Sequence, residues 1–375
     1  MGKELRSRVE TIRVRTASAH YPVWVGAGLL RQAGQRLRRL RPGCRRLFIV
    51  SSPRVWALWG RELARSVRAA GIRPEILLMN DREQRKRLST VEQLAEELLR
   101  RGADRTALVA ALGGGVVGDV AGFLAASYMR GIAYVQLPTT LVGQIDSAIG
   151  GKTGVNLRSG KNLLGAFHPP LAVLADPRTL GSLPAREYRA GLYEVVKCAV
   201  IGAPGLFRFL EQELPAVLAG EERCVRRLLR DCIRLKAGIV SRDERERGLR
   251  QVLNFGHTFG HAWETLGGYR RLRHGEAVGW GMIAATRLAQ RLGRIPPATA
   301  ERIIALVESL GRLPALPPVG VERLYRQLFA DKKKNEQGIK FVLPRRIGRV
   351  EIVGSVPKAA VLATLREFTG TRPSR

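Results

Sequence analysis

Ala107–Met129 reads ALVAALGGGVVGDVAGFLAASYM. The stretch is nearly free of charge and long enough to be mistaken for a membrane span. Two features argue against a continuous lipid-facing helix: Asp119 in its middle, and the run Gly113-Gly114-Gly115. A charge is costly within a bilayer, and adjacent glycines punctuate a helix. A buried strand over Thr106–Leu112, a glycine turn and a helix over Val117–Tyr128 account for the same residues, so no membrane span is expected. Gly113–Gly118 also matches GxGxxG, the loop whose backbone N–H groups receive a pyrophosphate at a helix N-terminus. The match comes late in the sheet. The next strand ends in Leu137-Pro138-Thr139-Thr140, with no acidic anchor for a ribose. The loop is therefore either a dinucleotide site outside a standard Rossmann half or a tight strand-to-helix turn.

Working outward, short apolar runs alternate with amphipathic stretches. Strands are expected at Thr11–Val14, Tyr21–Val25, Arg46–Val50, Glu75–Met79, Ile132–Leu137 and Ala172–Ala175. Helices are expected at Leu29–Leu40, Val55–Ala70 and Val91–Arg101. That alternation predicts an α/β fold with a mostly parallel sheet covered by helices on both faces. After Leu183-Pro184, helical patterns dominate, followed by a hairpin (Ile339–Leu343, Arg349–Val353) and a last helix. The division is a sheet domain over residues 1–180 and a mainly α-helical domain over residues 181–375.

The 375 residues are enough for two domains with real cores, and 45% hydrophobic content fits a globular chain. The four cysteines lack CxxC spacing and read as thiols of a reducing compartment; with no apolar leader in MGKELRSRVE, a cytoplasmic location is expected. The net charge is +32, from 64 basic and 32 acidic residues. The arginines are scattered, and no zinc-finger, helix-turn-helix or RNA-binding aromatic signature accompanies them, so no specific nucleic-acid partner is expected. Only eleven of the basic residues are lysine. A chain that uses arginine for generic charge should keep lysine where a compact point donor is needed.

Chemistry concentrates in Asn254–Glu276, NFGHTFGHAWETLGGYRRLRHGE, which holds three of the five histidines. His257 and His261 are four apart and share a helix face, with His274 close behind. Imidazole is the commonest protein ligand for a transition metal, so a metal or catalytic site is expected; periodicity leaves open which two histidines bind. Glu194 and Lys197, three apart in the apolar run AGLYEVVKCAVI, read as a buried pair with a function. Gly150-Gly151-Lys152-Thr153 is not a phosphate loop of the Walker type, because Asp146 stands where that motif needs glycine. Lys152, Lys161 and Asn162 still gather polar donors suited to an anionic ligand.

Together, GGGVVGDVAGF, QLPTTLVGQIDSAIGGKTGVN with KNLLGAFHPP, AGLYEVVKCAVI, RDERERGLRQVLNFGHTFGHAWE, RLRHGEAVGWGM and DKKKNEQGIKFVLPRRIG resemble the 3-dehydroquinate synthase family. They run in the family's order from about Asp81 to Gly348. The resemblance implies a Rossmann-like N-terminal domain, a helical C-terminal domain and an active site between them. It implies a divalent metal, zinc or cobalt, on Glu194, His257 and His274. It implies NAD along Asp81, Glu83 and Lys86, the loop Gly115, Val116, Val117, Gly118 and Asp119, then Thr139, Thr140, Lys152 and Lys161, and Thr179, Leu180, Gly181 and Ser182. Implied contacts to a small sugar-phosphate substrate are Asp146, Lys152, Asn162, Lys197, Lys236, Arg250, Asn254, His261 and one or both of Lys332 and Lys333. Arg130 is implied to reach a neighbouring subunit's site in a homodimer. The implied reaction converts 3-deoxy-arabino-heptulosonate 7-phosphate to 3-dehydroquinate and phosphate. Alternatives within the same architecture are another sugar-phosphate cyclase or a metal-dependent polyol dehydrogenase. One departure is Arg82, where the family often has glycine.

Overall fold

In the computed structural model, which describes residues 9–269, 271–330 and 339–369, the apolar runs become the strands of one seven-stranded sheet. The chain divides into two compact units: Met1–Leu183 with Val225–Arg245, and Pro184–Cys224 with Glu246–Arg375. The sequence places one break near residue 180; the structure breaks the chain after Leu183 and returns Val225–Arg245 to the first unit.

The first unit contains β1 (Glu10–Arg15), β2 (His20–Val25), β3 (Arg46–Ser51), β4 (Arg73–Leu78), β5 (Leu108–Gly113), β6 (Ala133–Pro138), a separate antiparallel hairpin of β7 (Lys152–Leu157) and β8 (Gly160–Phe167), and β9 (Val173–Ala175). The sheet order is β1-β2-β9-β6-β5-β3-β4. Only β1 and β2 pair antiparallel; every other neighbouring pair is parallel. Its helices are α1 (Leu29–Leu40), α2 (Pro53–Val55), which continues through a wide turn at Trp56–Gly60 into α3 (Arg61–Ala69), α4 (Leu88–Arg100) and α5 (Gly115–Ser127). Successive strand residues point to opposite faces, and both faces are covered. Phe48 and Val50 of β3 pack with Leu94 of α4 and Val120 of α5. Leu47 and Ile49 pack with Leu30 of α1 and Leu63 of α3.

Ala107–Met129 is thus a strand, a turn and a helix, and no helix among the described residues is long and apolar enough to cross a membrane. Glycines within α5 allow close approach to the sheet and the β7–β8 hairpin. A Cβ on Gly118 would lie 2.8 Å from Gln136 Oε1, and one on Gly122 would lie 2.4 Å from Thr153 Cγ2. After β4 the chain crosses to the other side of β3. The loop after β5 therefore sits where the winding reverses, the place where open α/β sheets bind ligands.

The second unit is built from α6 (Ala185–Gly202), α7 (Pro204–Leu218) and the first residues of α8 (Glu222–Arg242), then α9 (His257–Leu266), α10 (His274–Arg291), α11 (Pro297–Ser309), α12 (Val321–Ala330), the hairpin β10 (Phe341–Arg346) with β11 (Arg349–Val353), and α13 (Lys358–Arg366). Helix α10 lies at its centre, touching α6, α9, α11, α13 and β10. Glycine makes that possible. A Cβ on Gly275 would stand 1.8 Å from the Ala190 carbonyl oxygen of α6, and one on Gly281 would stand 1.8 Å from the carbonyl oxygen of Gly256.

Candidate active site

In the second unit, three helices deliver the expected metal ligands. Glu194 lies in the interior of α6, fully buried. His257 and His274 are the first residues of α9 and α10. Gly256 precedes α9 with φ of +80°, a left-handed conformation that favours glycine. Glu276 fixes the start of α10: its carboxylate accepts the Arg273 N–H at 2.8 Å and takes Arg186 at 2.6 and 2.8 Å.

The Nε2 atoms of both histidines face one carboxylate oxygen. Glu194 Oε1 is 3.7 Å from Nε2 of His257 and 3.4 Å from Nε2 of His274. Their Nδ1 atoms are held from behind, His257 by the Phe255 carbonyl at 3.1 Å and His274 by Glu264 Oε2 at 3.1 Å. That turns each Nε2 toward the site. His261 stands beside them, its ring 5.2 Å from that of His257 and 5.7 Å from that of His274. One nitrogen from each of the three rings falls within a 4.8 Å cluster, so a three-histidine set shares two members with the Glu–His–His set. Glu194 decides between them. Both its oxygens are buried; Oε2 is paired with the Lys197 ammonium at 2.5 Å, which leaves Oε1, facing the two Nε2 atoms, as the oxygen that fits a metal cation. Two imidazole nitrogens and one carboxylate oxygen suit zinc or cobalt with an open position.

The electrostatics suit Glu194 and His257 to that donor set as they stand, whereas His274 must give up a proton to join it. Burial opposes ionisation of Glu194, but the Lys197 ammonium 2.5 Å away and His274 outweigh it and hold the carboxyl well below the usual range. Burial, reinforced by Lys197, pushes His257 down to about 3, leaving the neutral imidazole a metal needs. Burial also opposes protonation of His274, but Glu264 and Glu194 carry it up to about 10. Arg250 is buried in the turn Leu249–Asn254, and the Asn254 amide donates to Glu246 Oε1 at 2.8 Å.

The first unit assembles the other expected residues. Gly115, Val116 and Val117 open α5, where N–H groups lack intrahelical partners. Thr139 and Thr140 follow β6, and the Thr139 N–H donates to the Gly113 carbonyl at 2.9 Å. Buried Lys86 pairs with Asp119 and donates to Asn162 Oδ1. Burial pushes the Asp119 carboxyl up although Lys86 opposes it. Lys161 lies 3.8 Å from Glu83. Lys236, from α8, pairs with Asp146 and donates to its carbonyl at 2.6 Å. Thr179–Ser182 form a short helical turn, fastened by Trp59 Nε1 donating to Ser182 Oγ at 3.0 Å. Asp81 lies on the loop between β4 and α4, Lys152 opens β7, and both are exposed. Exposed Arg130 has a left-handed φ of 67°. Lys332 and Lys333 lie outside the described residues.

Sequence reasoning missed Glu264, Glu246 and Asn156. Glu264 was findable, because it follows His261 by three on the same helix face. Glu246 and Asn156 reach their partners through a loop and a hairpin irregularity, which periodicity does not register.

Residues 76–190 match the family described as 3-dehydroquinate synthase N-terminal, and residues 191–334 match 3-dehydroquinate synthase C-terminal. The chain is 46% identical over 353 residues to the 3-dehydroquinate synthase of Solibacter usitatus, covering 94% of this chain and 98% of that protein. It is 40% identical over 361 residues to the 3-dehydroquinate synthase of Neisseria meningitidis serogroup C, covering 96% of this chain and 100% of that one. Among solved structures, it resembles a 2-epi-5-epi-valiolone synthase from Streptomyces hygroscopicus bound to NAD⁺ and Zn²⁺ (31% identity, TM-score 0.86, covering 96% of this chain and 99% of that one). It also resembles a 2-deoxy-scyllo-inosose synthase bound to carbaglucose-6-phosphate, NAD⁺ and Co²⁺ (28% identity, TM-score 0.86, covering 96% and 100%). A probable glycerol dehydrogenase from Sinorhizobium meliloti, at 16% identity and a TM-score of 0.63, shares the fold.

Proposed function

The chain belongs to the 3-dehydroquinate synthase family, and from that premise we propose that it converts 3-deoxy-arabino-heptulosonate 7-phosphate to 3-dehydroquinate and phosphate, using NAD and a divalent metal. The observation that carries the reading is the pair of histidine Nε2 atoms turned onto Glu194 Oε1, with both Nδ1 atoms already engaged.

Glu194, His257 and His274 would hold the metal, which supplies a Lewis acid to lower the pKa of a substrate hydroxyl. NAD supplies a reversible hydride acceptor and is regenerated each turnover. The remaining work belongs to side chains. Lys152, Lys197, Lys236 and Arg250 are the cations for a phosphate and a carboxylate. Lys197 also keeps Glu194 ionised inside the protein. Glu264 fixes which nitrogen of His274 faces inward, and the Phe255 carbonyl does so for His257. Lys236, shared with Asp146, is held ready to exchange a carboxylate for substrate oxygens. His261, Asn162 and Asn254 are suited to orient hydroxyls and relay protons. A substrate phosphate held beside C6 can itself accept the C6 proton, so a strong protein base there is not required. Glu83 and Lys86, with the α5 N-terminus and Thr179–Ser182, form the dinucleotide side.

Arg130, exposed on a left-handed loop, would complete a partner's site in a homodimer. The four cysteines are free, which supports a cytoplasmic setting.

The test is phosphate release from the heptulosonate phosphate, with and without NAD⁺ and metal. Release that needs both, with no accumulated NADH, is expected. Stoichiometric NADH would identify a polyol dehydrogenase instead, and release indifferent to NAD⁺ and metal would overturn the reading.

A further inference from the structure

Asn156 lies in β7 at the point where the register with β8 slips, between Val155 and Leu157. A bulge lets successive residues face the same side. Here it buries Asn156 beside Val155, leaving the amide 6% exposed and Val155 fully buried. A polar side chain in that position must have its hydrogen bonds met internally. The Asn156 Oδ1 accepts the Asn162 N–H at 2.9 Å. Its Nδ2 donates to Glu83 Oε1 at 2.8 Å and to the Glu83 carbonyl at 3.3 Å. Its own N–H donates to the Lys86 carbonyl at 2.8 Å. Only one orientation of the amide satisfies these partners, since a flip would set NH₂ against N–H and oxygen against carboxylate.

Two segments meet at this side chain. One is the Glu83–Lys86 turn after β4; the other is Asn162 on β8, whose φ of 54° is a left-handed conformation rare for a side-chain-bearing residue. Lys86 closes the loop by donating to Asn162 Oδ1. Asn162 is thus gripped at its backbone by Asn156 and at its side chain by Lys86.

We propose that Asn156 is a positioning residue that couples the dinucleotide-side turn at Glu83–Lys86 to the substrate contact Asn162, so that a single buried amide sets both. This rests on the proposed function for the roles of Glu83, Lys86 and Asn162. Asparagine is the residue the junction needs. Aspartate would set a carboxylate against Glu83, alanine would leave Glu83 and the Asn162 N–H without their partner, and glutamine is too long for the bulge.

The experiment measures NAD⁺ affinity of cofactor-stripped protein by calorimetry, and KM and kcat for the sugar phosphate, in wild type, Asn156→Asp, Glu83→Gln and the double variant. Thermal melts run alongside. Asn156→Asp is expected to weaken NAD⁺ binding at least about tenfold and to raise the substrate KM. In the Glu83→Gln background the same substitution should cost less than about twofold, because the new carboxylate then meets an amide donor. A merely structural asparagine would lower the melting temperature equally in both backgrounds without this reversal. Equal losses in the two backgrounds, or unchanged NAD⁺ affinity in Asn156→Asp, would overturn the coupling while leaving the function intact. Wild-type protein that binds no NAD⁺ would overturn both.

Discussion

Lys197 is an ammonium buried to 2% exposure, 2.5 Å from the fully buried carboxylate of Glu194. Neither charge could be left there alone, since removing one partner of a buried pair strands the other. Lysine is also specific in this role. A guanidinium is longer, planar and differently hydrated, so Lys197→Arg and Lys236→Arg should each lower kcat/KM by at least about a hundredfold, roughly 2.7 kcal/mol of transition-state stabilisation. Lys358, whose ammonium sits over the Tyr325 ring at 5.1 Å, is the control, because arginine makes the same contact. Wild-type kinetics in Lys197→Arg and Lys236→Arg would undo the argument from lysine scarcity. Glu264 acts at one remove, through Nδ1 of His274. Glu264→Gln keeps the shape and an acceptor but loses the charge, and should weaken Zn²⁺ binding by stripped protein about 10- to 100-fold in competition with a chromophoric chelator. Unchanged metal affinity would show that the carboxylate plays no part in presenting the histidine.

At the scale of elements, the metal ligands are placed by how closely α10 approaches its neighbours. Gly275→Ala pushes a methyl into the Ala190 carbonyl beside His274, and Gly281→Ala pushes one into the Gly256 carbonyl beside His257. Overpacking of this kind costs about 1–3 kcal/mol, and both variants should melt early in denaturant and lose metal. Gly205→Ala, at a helical position where a new Cβ meets nothing within 4 Å, should be neutral or slightly stabilising. If all three variants match wild type, close packing does not position the ligands. These elements were largely legible in the sequence. Helices such as α8 and α12 follow an apolar period, α6 and α10 are apolar nearly all round because they are buried, and the inner parallel strands β3, β5, β6 and β9 stand out as apolar runs because both faces are buried. The β7–β8 hairpin was not legible. Lys152–Phe167 is rich in glycine and charge, and the bulge at Asn156 breaks the alternation that would reveal a strand. Clustering pointed to the three histidines, but the choice between two ligand sets depends on Glu194 Oε1 facing the Nε2 atoms of His257 and His274, which only the folded chain supplies.

At the scale of the whole molecule, the sequence sets a net charge of +32 against the proposed homodimer. Two such copies repel, so dimerisation should weaken as ionic strength falls and screening is lost. The loop carrying Arg130 nevertheless suits presentation to a second copy. Met129, Arg130 and Gly131 have successive positive φ values of 48°, 67° and 123°. Holding non-glycine residues there costs on the order of 1–3 kcal/mol each, which the surroundings must offset. They do so through Tyr128, whose hydroxyl donates to the Ala103 carbonyl at 2.8 Å and whose carbonyl accepts the Gly131 N–H at 2.9 Å. An exposed arginine on a strained loop is suited to the proposed contact with a second copy. Arg130→Ala protein mixed with Lys152→Ala protein tests this, and exposed Lys152 can be truncated with little risk to the fold. If Arg130 serves the partner's site, random exchange makes half the dimers hybrids, each with one intact site, and about a quarter of wild-type activity should return. The exchange belongs at physiological salt, with subunit mixing verified by a mass label. No recovery under verified mixing would make each subunit's site self-contained and leave the strain at Met129 and Arg130 without a function.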